Sequence, residues 1–364
     1  MGAIPLGRAG ASTEVWQMKA VLFEKIGSVK LGEASKPVLE TEKDAIVKVT
    51  HTAICGTDLH ILNGNIPVEE STILGHEAVG VVEKTGSDVK RVKIGDRIVL
   101  SCTVQCGQCT NCQKGLVALC KHGGIFGCGK QRGGFPGAQA EYIRVPFADM
   151  VLEPIPSDLT EEQAIFVGDI LSTGYMASEN GSIEPGDVVV IFGAGPVGLC
   201  TIATARLFGP SLIVGVDVLD YRLEAAKHLG ADIVINSSNT DILEEIKRIT
   251  DGRGADVAIE AVGSAETLNH CIESVRGGGN ISIVGVFPPG MVEMSMKKMV
   301  IRNIQIRMGL VNMVNMGRLM SLIKHCKLDL FPLITHRMSL GEVKDAYRIF
   351  RSKSENVLKV ILHP

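Results

Sequence analysis

The run Val188-Val189-Val190-Ile191-Phe192-Gly193-Ala194-Gly195-Pro196-Val197-Gly198-Leu199 decides how this chain folds. A continuous apolar stretch breaks into glycines and then resumes with helical spacing, which reads as a buried parallel strand, a tight turn and the start of a helix. Gly193 permits the turn, Gly195 lets backbone come close to a bound pyrophosphate, and Gly198 lets the helix pack on the strand. With Pro196 and Val197 between the last two glycines, the helix N-terminus faces the phosphate charge. Glycine is common here, at 41 residues, so the fingerprint alone is weak. Its context strengthens it. Leu212–Val216 reads as a second strand ending at Asp217, about twenty residues past the glycines, where a dinucleotide site expects an acid on the adenosine ribose. A carboxylate there accepts hydrogen bonds from ribose hydroxyls and repels a 2′-phosphate, which predicts NAD over NADP. Arg222 is a candidate to stack on or pair near the adenosine, with a surface ion pair on a helix as the competing reading.

At 364 residues the chain is long for one core, and two domains are the default expectation. Its 45% apolar and 21% charged content describes an ordinary soluble globular protein. A net charge of −3 gives no electrostatic reason to expect nucleic acid or an anionic membrane as partner. Glycine and proline cut the apolar runs well before spanning length, so no transmembrane helix is expected. Residues 1–17 lack the uninterrupted apolar core of a signal peptide and read as a disordered leader or a remnant outside the fold; Met18–Phe23 feeds the first strand. Ten cysteines without a secretory signal point to a reducing compartment, the cytoplasm, and to metal ligation rather than disulfides.

From Met18 to about Asp169, short β-type runs such as Ala45–Val49, Val79–Val82 and Arg97–Leu100 alternate with turn signals and suggest an antiparallel, partly closed β-barrel. From about Leu171 to Met308 the spacing becomes strand, helix, strand, with strand-like runs at Asp256–Glu260 and Ile281–Gly285, as in a doubly wound parallel α/β sheet. The last part offers helices at Gly317–Cys326 and Leu340–Phe350 and a closing strand Val357–Leu362, and is expected to return to the first domain. The expected boundaries are 18–170, 171–312 and 313–364.

Cys106, Cys109, Cys112 and Cys120 form C-x-x-C-x-x-C-x7-C in a polar segment, about 102–121, that cannot build its own apolar core. Four thiolates gathered by short turns make a closed tetrahedral zinc site that substitutes for that core. An iron–sulfur cluster is the alternative use of four cysteines. Upstream stand Ile54-Cys55-Gly56-Thr57-Asp58-Leu59-His60 and Leu74-Gly75-His76-Glu77. Joined to the cysteine lobe and the dinucleotide fingerprint, these motifs resemble the zinc-dependent medium-chain alcohol dehydrogenases from Met18 to the C-terminus.

The resemblance implies a GroES-like catalytic domain beside a Rossmann domain, two zinc ions per chain, one catalytic and one structural, and NAD. It implies a catalytic zinc held by Cys55, His76 and a third ligand just before the Rossmann domain. Many members have cysteine there; this chain has Asp169, as in the bacterial secondary-alcohol and formaldehyde dehydrogenase branches. A helix N-cap is the other reading of Asp169. Glu77 either enters the metal shell or shapes the field around it. Thr57 is placed to accept the alcohol proton, and His60 resembles the end of the relay to solvent. Thr173 and the backbone near Val262, Val284 and Val286 resemble positions lining the nicotinamide. Gly56 stands where some animal relatives carry a phosphate-binding Arg. The substrate pocket, expected from the sixth to ninth tens of residues and from Met308–Val311, looks apolar and suits a simple alcohol, aldehyde or ketone. The other activities weighed are a polyol or threonine dehydrogenase and a formaldehyde dehydrogenase or dismutase with tightly held NAD, and outside enzymes a structural protein that keeps the fold. Relatives of this type form dimers and, in bacteria, often tetramers, so a homo-oligomer is expected.

Overall fold

Val188–Phe192 forms a strand near the middle of a six-stranded sheet in the computed structural model of the chain, which describes residues 16–364. The strands lie in the order Ile233–Asn236, Leu212–Asp217, Val188–Phe192, Ala255–Glu260, Val275–Ile283 and Gln305–Met308, all parallel. The order reverses between Val188–Phe192 and Ala255–Glu260, and in such sheets a ligand crevice opens at that switch. Both faces of the central strand are covered, which is why it lacks polar alternation. Val190 and Phe192 pack with Leu268 and Ile272 of the helix Ala265–Ser274, while Val189 and Ile191 pack with Leu199 and Ile202 of the helix Pro196–Ala205. A Cβ on Gly198 would lie 1.8 Å from the carbonyl oxygen of Gly193, so the turn and the helix meet only because that position is bare.

The second sheet has seven strands. Its path runs Ile334–Ser339, Lys359–His363, Ala45–Ala53, Glu77–Thr85, Arg97–Leu100, Leu152–Pro154, with Tyr142–Val145 also paired to Ala45–Ala53. The chain's last strands thus rejoin its first ones. The antiparallel expectation needs one correction: Ile334–Ser339 and Lys359–His363 run parallel. The helix Val343–Ser352 connects them, and a crossover of that kind returns the chain in the same direction. The barrel is only partly closed, since the path ends at Ile334–Ser339 and Leu152–Pro154.

Two expected boundaries move. Gln17 already opens the first strand, Gln17–Lys25, pairing with Ser35 of Ser28–Ser35, because Met18 and Ala20 extend the buried alternation outward. The rest of the expected leader, residues 1–15, lies outside the described residues. The late helices span Met316–Lys324 and Val343–Ser352, the latter preceded by a short 3-10 turn at Leu340–Glu342. The helix Ile170–Asn180 joins the sheets: Ile170, Leu171 and Tyr175 belong to one core with Ala53, Val79 and Val99 on one side and Val189 and Ile191 on the other. Among the described residues no helix is long and apolar enough to cross a membrane.

Gly198→Val forces the helix off the strand. Denaturant unfolding is expected to show a loss of about 1–3 kcal/mol or more, the range for overpacked positions, with weakened dinucleotide binding in a titration of the folded fraction.

Candidate active site

Three separate elements deliver one cluster. Cys55 follows the strand Ala45–Ala53 as the residue before the short helix Gly56–Leu62, and its N–H donates to Asp58 Oδ2 at 2.9 Å. His76 precedes the strand Glu77–Thr85, after Gly75, whose φ of +91° and whose crowding against Gln139 exclude a side chain. Asp169 occupies the N-cap position of the helix Ile170–Asn180, yet its carboxylate makes no capping bond to the helix backbone. It faces the other two instead: Oδ2 lies 3.2 Å from His76 Nε2 and 3.4 Å from Cys55 Sγ. That settles the N-cap alternative against capping as the side chain's use. Glu77 joins them, and one ligand atom from each of Cys55, His76, Glu77 and Asp169 lies within 4.8 Å of the others.

All four are buried, and so much anionic character in one dry place is unstable unless a cation answers it. Burial, with the charges of Asp169 and Glu77, pushes the Cys55 thiol up to about 11. Burial also opposes charge on Asp169, but the hydrogen bond and charge of His76 outweigh it and hold the carboxyl down at about 2. Burial opposes charge on His76 likewise; Cys55 and Asp169 overcome it and raise the imidazole well above its ordinary value. Glu77 is balanced separately by the buried Lys359, whose Nζ donates to Oε1. Glu77 Oε2 has no partner, and neither has His76 Nδ1. A thiolate and a carboxylate beside a neutral imidazole match one divalent ion, and these residues fit zinc.

The cysteine lobe is drawn together as well. Cys109 Sγ lies 3.6 Å from Cys112 Sγ and 3.9 Å from Cys120 Sγ. Zinc–sulfur bonds of about 2.3 Å give a tetrahedral edge of about 3.8 Å, so the four sulfurs, mutually within 4.8 Å, are spaced for a single ion rather than a multi-iron cluster. Backbone N–H groups of Cys106, Cys109 and His122 point at the sulfurs.

A cavity of about 500 Å³ runs from the buried donors to the parallel sheet. Cys55, Thr57 and Asp169 form one end, and Thr173, Val197, Val284 and Val286 the side next to the glycine turn. The expected substrate wall is corrected. Met308–Val311 lines the cavity, but of the sixth to ninth tens only Cys55 and Thr57 do; Leu268, Phe287, Val292 and Met294 supply the rest, because the loops of the parallel sheet overhang the site. Val262 sits over the turn instead, its methyl 2.6 Å from where a Gly193 Cβ would be. His60 stands one helical turn after Thr57 but is not on the cavity wall, and among the described residues no hydrogen bond joins the two; Asn65 Nδ2 is 3.2 Å from its Nδ1.

At the coenzyme end, Asp217 Oδ2 accepts the N–H of Ala194 at 2.8 Å, and Oδ1 accepts those of Val218 and Leu219. Arg222 approaches Asp217 to 3.7 Å, lies beside Gly195, and keeps its buried Nε without a partner. Orphaned donor, acid and bare glycine backbone together leave a cradle that fits a dinucleotide.

Comparison with known proteins agrees with this geometry. A family model described as alcohol dehydrogenase GroES-like domain matches residues 41–157, and one described as zinc-binding dehydrogenase matches residues 196–324. An alcohol dehydrogenase of Cupriavidus necator is 37% identical over 363 residues, 95% of this chain and 99% of that protein. The chain belongs to the zinc-dependent medium-chain alcohol dehydrogenase family. Alcohol dehydrogenase TADH from Thermus sp. ATN1 superposes with a TM-score of 0.91 at 38% identity, covering 95% of this chain and 99% of that one. A structure from Sinorhizobium meliloti 1021 bound to NADP superposes at 0.85 and 29% identity, over 96% and 100%. The resemblance read from the sequence holds at the level of family and fold.

Several residues of this zinc-dependent dehydrogenase escape sequence reasoning. Lys359 is separated from Glu77 by 282 positions, and no local pattern links them. Asp58, Gln139 and Tyr347 form a buried chain behind the donors: Tyr347 donates to Gln139 at 2.9 Å, and Gln139 Nε2 to Asp58 Oδ2 at 3.1 Å. Glu260, at the end of its strand, accepts the N–H groups of Val262 and Gly263 and the Thr267 hydroxyl. A charged residue at the end of a mostly apolar strand, as at Glu260 and Lys359, is the signal the sequence held.

Zinc uptake by the chelator-stripped protein displaces the Cys55 and His76 protons. At pH 7 it is expected to release about two more protons per chain than uptake by a Cys55→Ser/His76→Ala variant, read by calorimetry in buffers of different ionisation enthalpy. Affinity falls as pH falls, since protons then reclaim the same atoms; equal release by both proteins contradicts the assignment.

Proposed function

We propose that this chain interconverts an alcohol with an aldehyde or ketone, using NAD(H) and a zinc ion held by Cys55, His76 and Asp169. The observation that carries the reading is the convergence of these donors on the wall of an apolar cavity that also reaches the glycine turn. When bound, zinc supplies Lewis acidity toward the substrate oxygen and the nicotinamide supplies the hydride acceptor. Glu77 stays on Lys359 and tunes the field, with Oε2 free to approach the metal.

Thr57, whose Oγ1 lies 3.8 Å from Cys55 Sγ at the cavity end, would accept the substrate hydroxyl proton while passing its own proton on. His60, one helical turn further along, would be the group that receives the proton passed on from Thr57. Burial lowers the pKa of His60, so it is neutral near pH 7 and able to accept. Thr173, fixed by its hydroxyl on the Asp169 carbonyl at 3.0 Å, and Val284 and Val286 line the cavity where they would position the nicotinamide and exclude water. Asp217 would hold the ribose diol of a bound coenzyme, and Arg222 beside it would face the adenosine. The family fold accepts either coenzyme, as the NADP-bound relative illustrates, so the carboxylate of Asp217 is what favours NAD.

The apolar lining suits a simple alcohol or ketone better than a polyol, and the carboxylate at position 169 fits the secondary-alcohol and formaldehyde branches. Segments 18–170 and 313–364 act as the catalytic unit and 171–312 as the coenzyme unit, with a second, structural zinc on Cys106, Cys109, Cys112 and Cys120. Two copies pair through the edge strand Gln305–Met308, beside which Val300, Ile301 and Met308 are exposed. Ten cysteines, none of them in a disulfide, suit a cytoplasmic setting.

A panel of primary alcohols, secondary alcohols and formaldehyde, assayed with NAD and NADP on zinc-replete protein, tests the reading; no turnover with any of them overturns it. Asp217→Ser is expected to raise the NADP-to-NAD ratio of kcat/KM by about tenfold or more, and an unchanged ratio removes Asp217 from coenzyme choice. His60→Ala is expected to slow turnover by about a hundredfold at low pH, the lower end of the usual proton-transfer range, with partial rescue by added buffer base. Full activity at every pH excludes the relay.

A further inference from the structure

A third group of metal-ligating side chains lies away from the buried donors and the cysteine lobe. The antiparallel register pairs Ala53 with Ile361 and Thr52 with Leu362, so the next step of the ladder brings His51 opposite His363. Their rings meet edge to face with centroids 4.7 Å apart. The helix Glu161–Ala164 sets two carboxylates over the pair, with Glu161 Oε2 3.4 Å from His51 Nδ1. One ligand atom from each of His51, Glu162 and His363 lies within 4.8 Å of the others. The cluster is half-buried, open enough for an ion to enter and closed enough to hold its side chains in place.

We propose that His51, His363 and Glu162, with Glu161 beside them, bind a divalent ion of the zinc type at a site separate from the two already described. Two imidazoles and a carboxylate make a donor set that suits zinc, copper or nickel rather than magnesium or calcium. Neutral imidazole is the ligating form, and burial together with the neighbouring His363 lowers the pKa of His51. Arg337 grips Glu162 through Nε at 2.6 Å and a terminal nitrogen at 2.9 Å. Each carboxylate oxygen keeps a second lone pair, so Arg337 orients the ligand from behind while lowering its affinity for a cation. Zinc holds nitrogen and oxygen donors about 3.4 Å apart in a tetrahedron, and rotation of half-exposed side chains closes the remaining gap. An ion here ties a central strand, the helix Glu161–Ala164 and the last strand into one unit. Those strands also carry Lys359 and lead into Cys55.

The test uses the full chain with both inner zinc sites filled, desalted and titrated with zinc chloride, alongside His51→Gln and His363→Ala. Bound metal is counted by plasma mass spectrometry, and folding is checked by circular dichroism. Wild type is expected to bind one more zinc per chain than either variant, with at least about tenfold tighter binding of that ion. Added zinc should raise the thermal midpoint of wild type alone, and dehydrogenase turnover should be the same in all three. Equal extra uptake by wild type and whichever variant folds overturns the proposal. So does a wild-type imidazole NMR spectrum in which the His51 and His363 signals do not respond to the first equivalent of added zinc.

Discussion

Two like charges 4 Å apart in a protein interior repel by about 4 kcal/mol even at an effective dielectric constant of 20. Cys55, Glu77 and Asp169 crowd three acidic groups into one buried place beside His76. Lys359 answers Glu77 from within the chain. Burial and the neighbouring acids push the Cys55 thiol up to about 11, and Cys55 and Asp169 raise the His76 imidazole well above its ordinary value, so both groups hold protons that a dication would displace. Much of the surrounding architecture serves to hold these groups together against their own repulsion.

The holding is done by rigid elements rather than by the loops alone. Cys55 and His76 extend from the adjacent strands Ala45–Ala53 and Glu77–Thr85, in register at Ala53 and Glu77, and Asp169 is fixed by the helix that joins the two sheets. Behind them Asp58 receives the Cys55 N–H and the Gln139 amide, and Tyr347 from the helix Val343–Ser352 fixes the amide in turn. Asp58 Oδ1 and His76 Nδ1 are both buried and unpartnered. The C-terminal segment therefore contributes to the site twice, through Tyr347 and Lys359. A chain whose last strands formed a separate unit would leave Glu77 as an uncompensated buried charge, a defect of several kcal/mol.

What could be read in the sequence was whatever depended on neighbours a few residues away. The strand, turn and helix at Val188–Leu199 follow from local apolar spacing and bare glycines, and the four-sulfur lobe from short intervals between cysteines. Asp169 marks the limit. Its local context, an acid before an apolar helix, is that of an N-cap, and only the arrival of Cys55 and His76 from more than ninety residues away changes what the carboxylate does. Lys359, Tyr347 and the parallel pairing of the last strand were hidden for the same reason, since their partners are set by topology. The cavity wall was misplaced because overhanging loops of one sheet, not the strands of the other, close it.

On the proposed reading, Asp217 couples coenzyme choice to the shape of the glycine turn. Asp217 is described by the fingerprint as a reader of the ribose, yet its two oxygens already hold Ala194 in the turn and Val218 and Leu219 at the strand end. A coenzyme bearing a 2′-phosphate meets more than repulsion from the carboxylate. On that reading a 2′-phosphate would require Asp217 to move, and the turn would lose the acceptor that holds the N–H of Ala194. Arg222, 3.7 Å from Asp217 and with an unused Nε, is the one nearby group that favours a phosphate, but its charge is partly engaged by the same carboxylate. Discrimination in this fold therefore rests on a backbone contact as much as on charge, and a change at position 217 has to preserve that contact before it can redirect specificity.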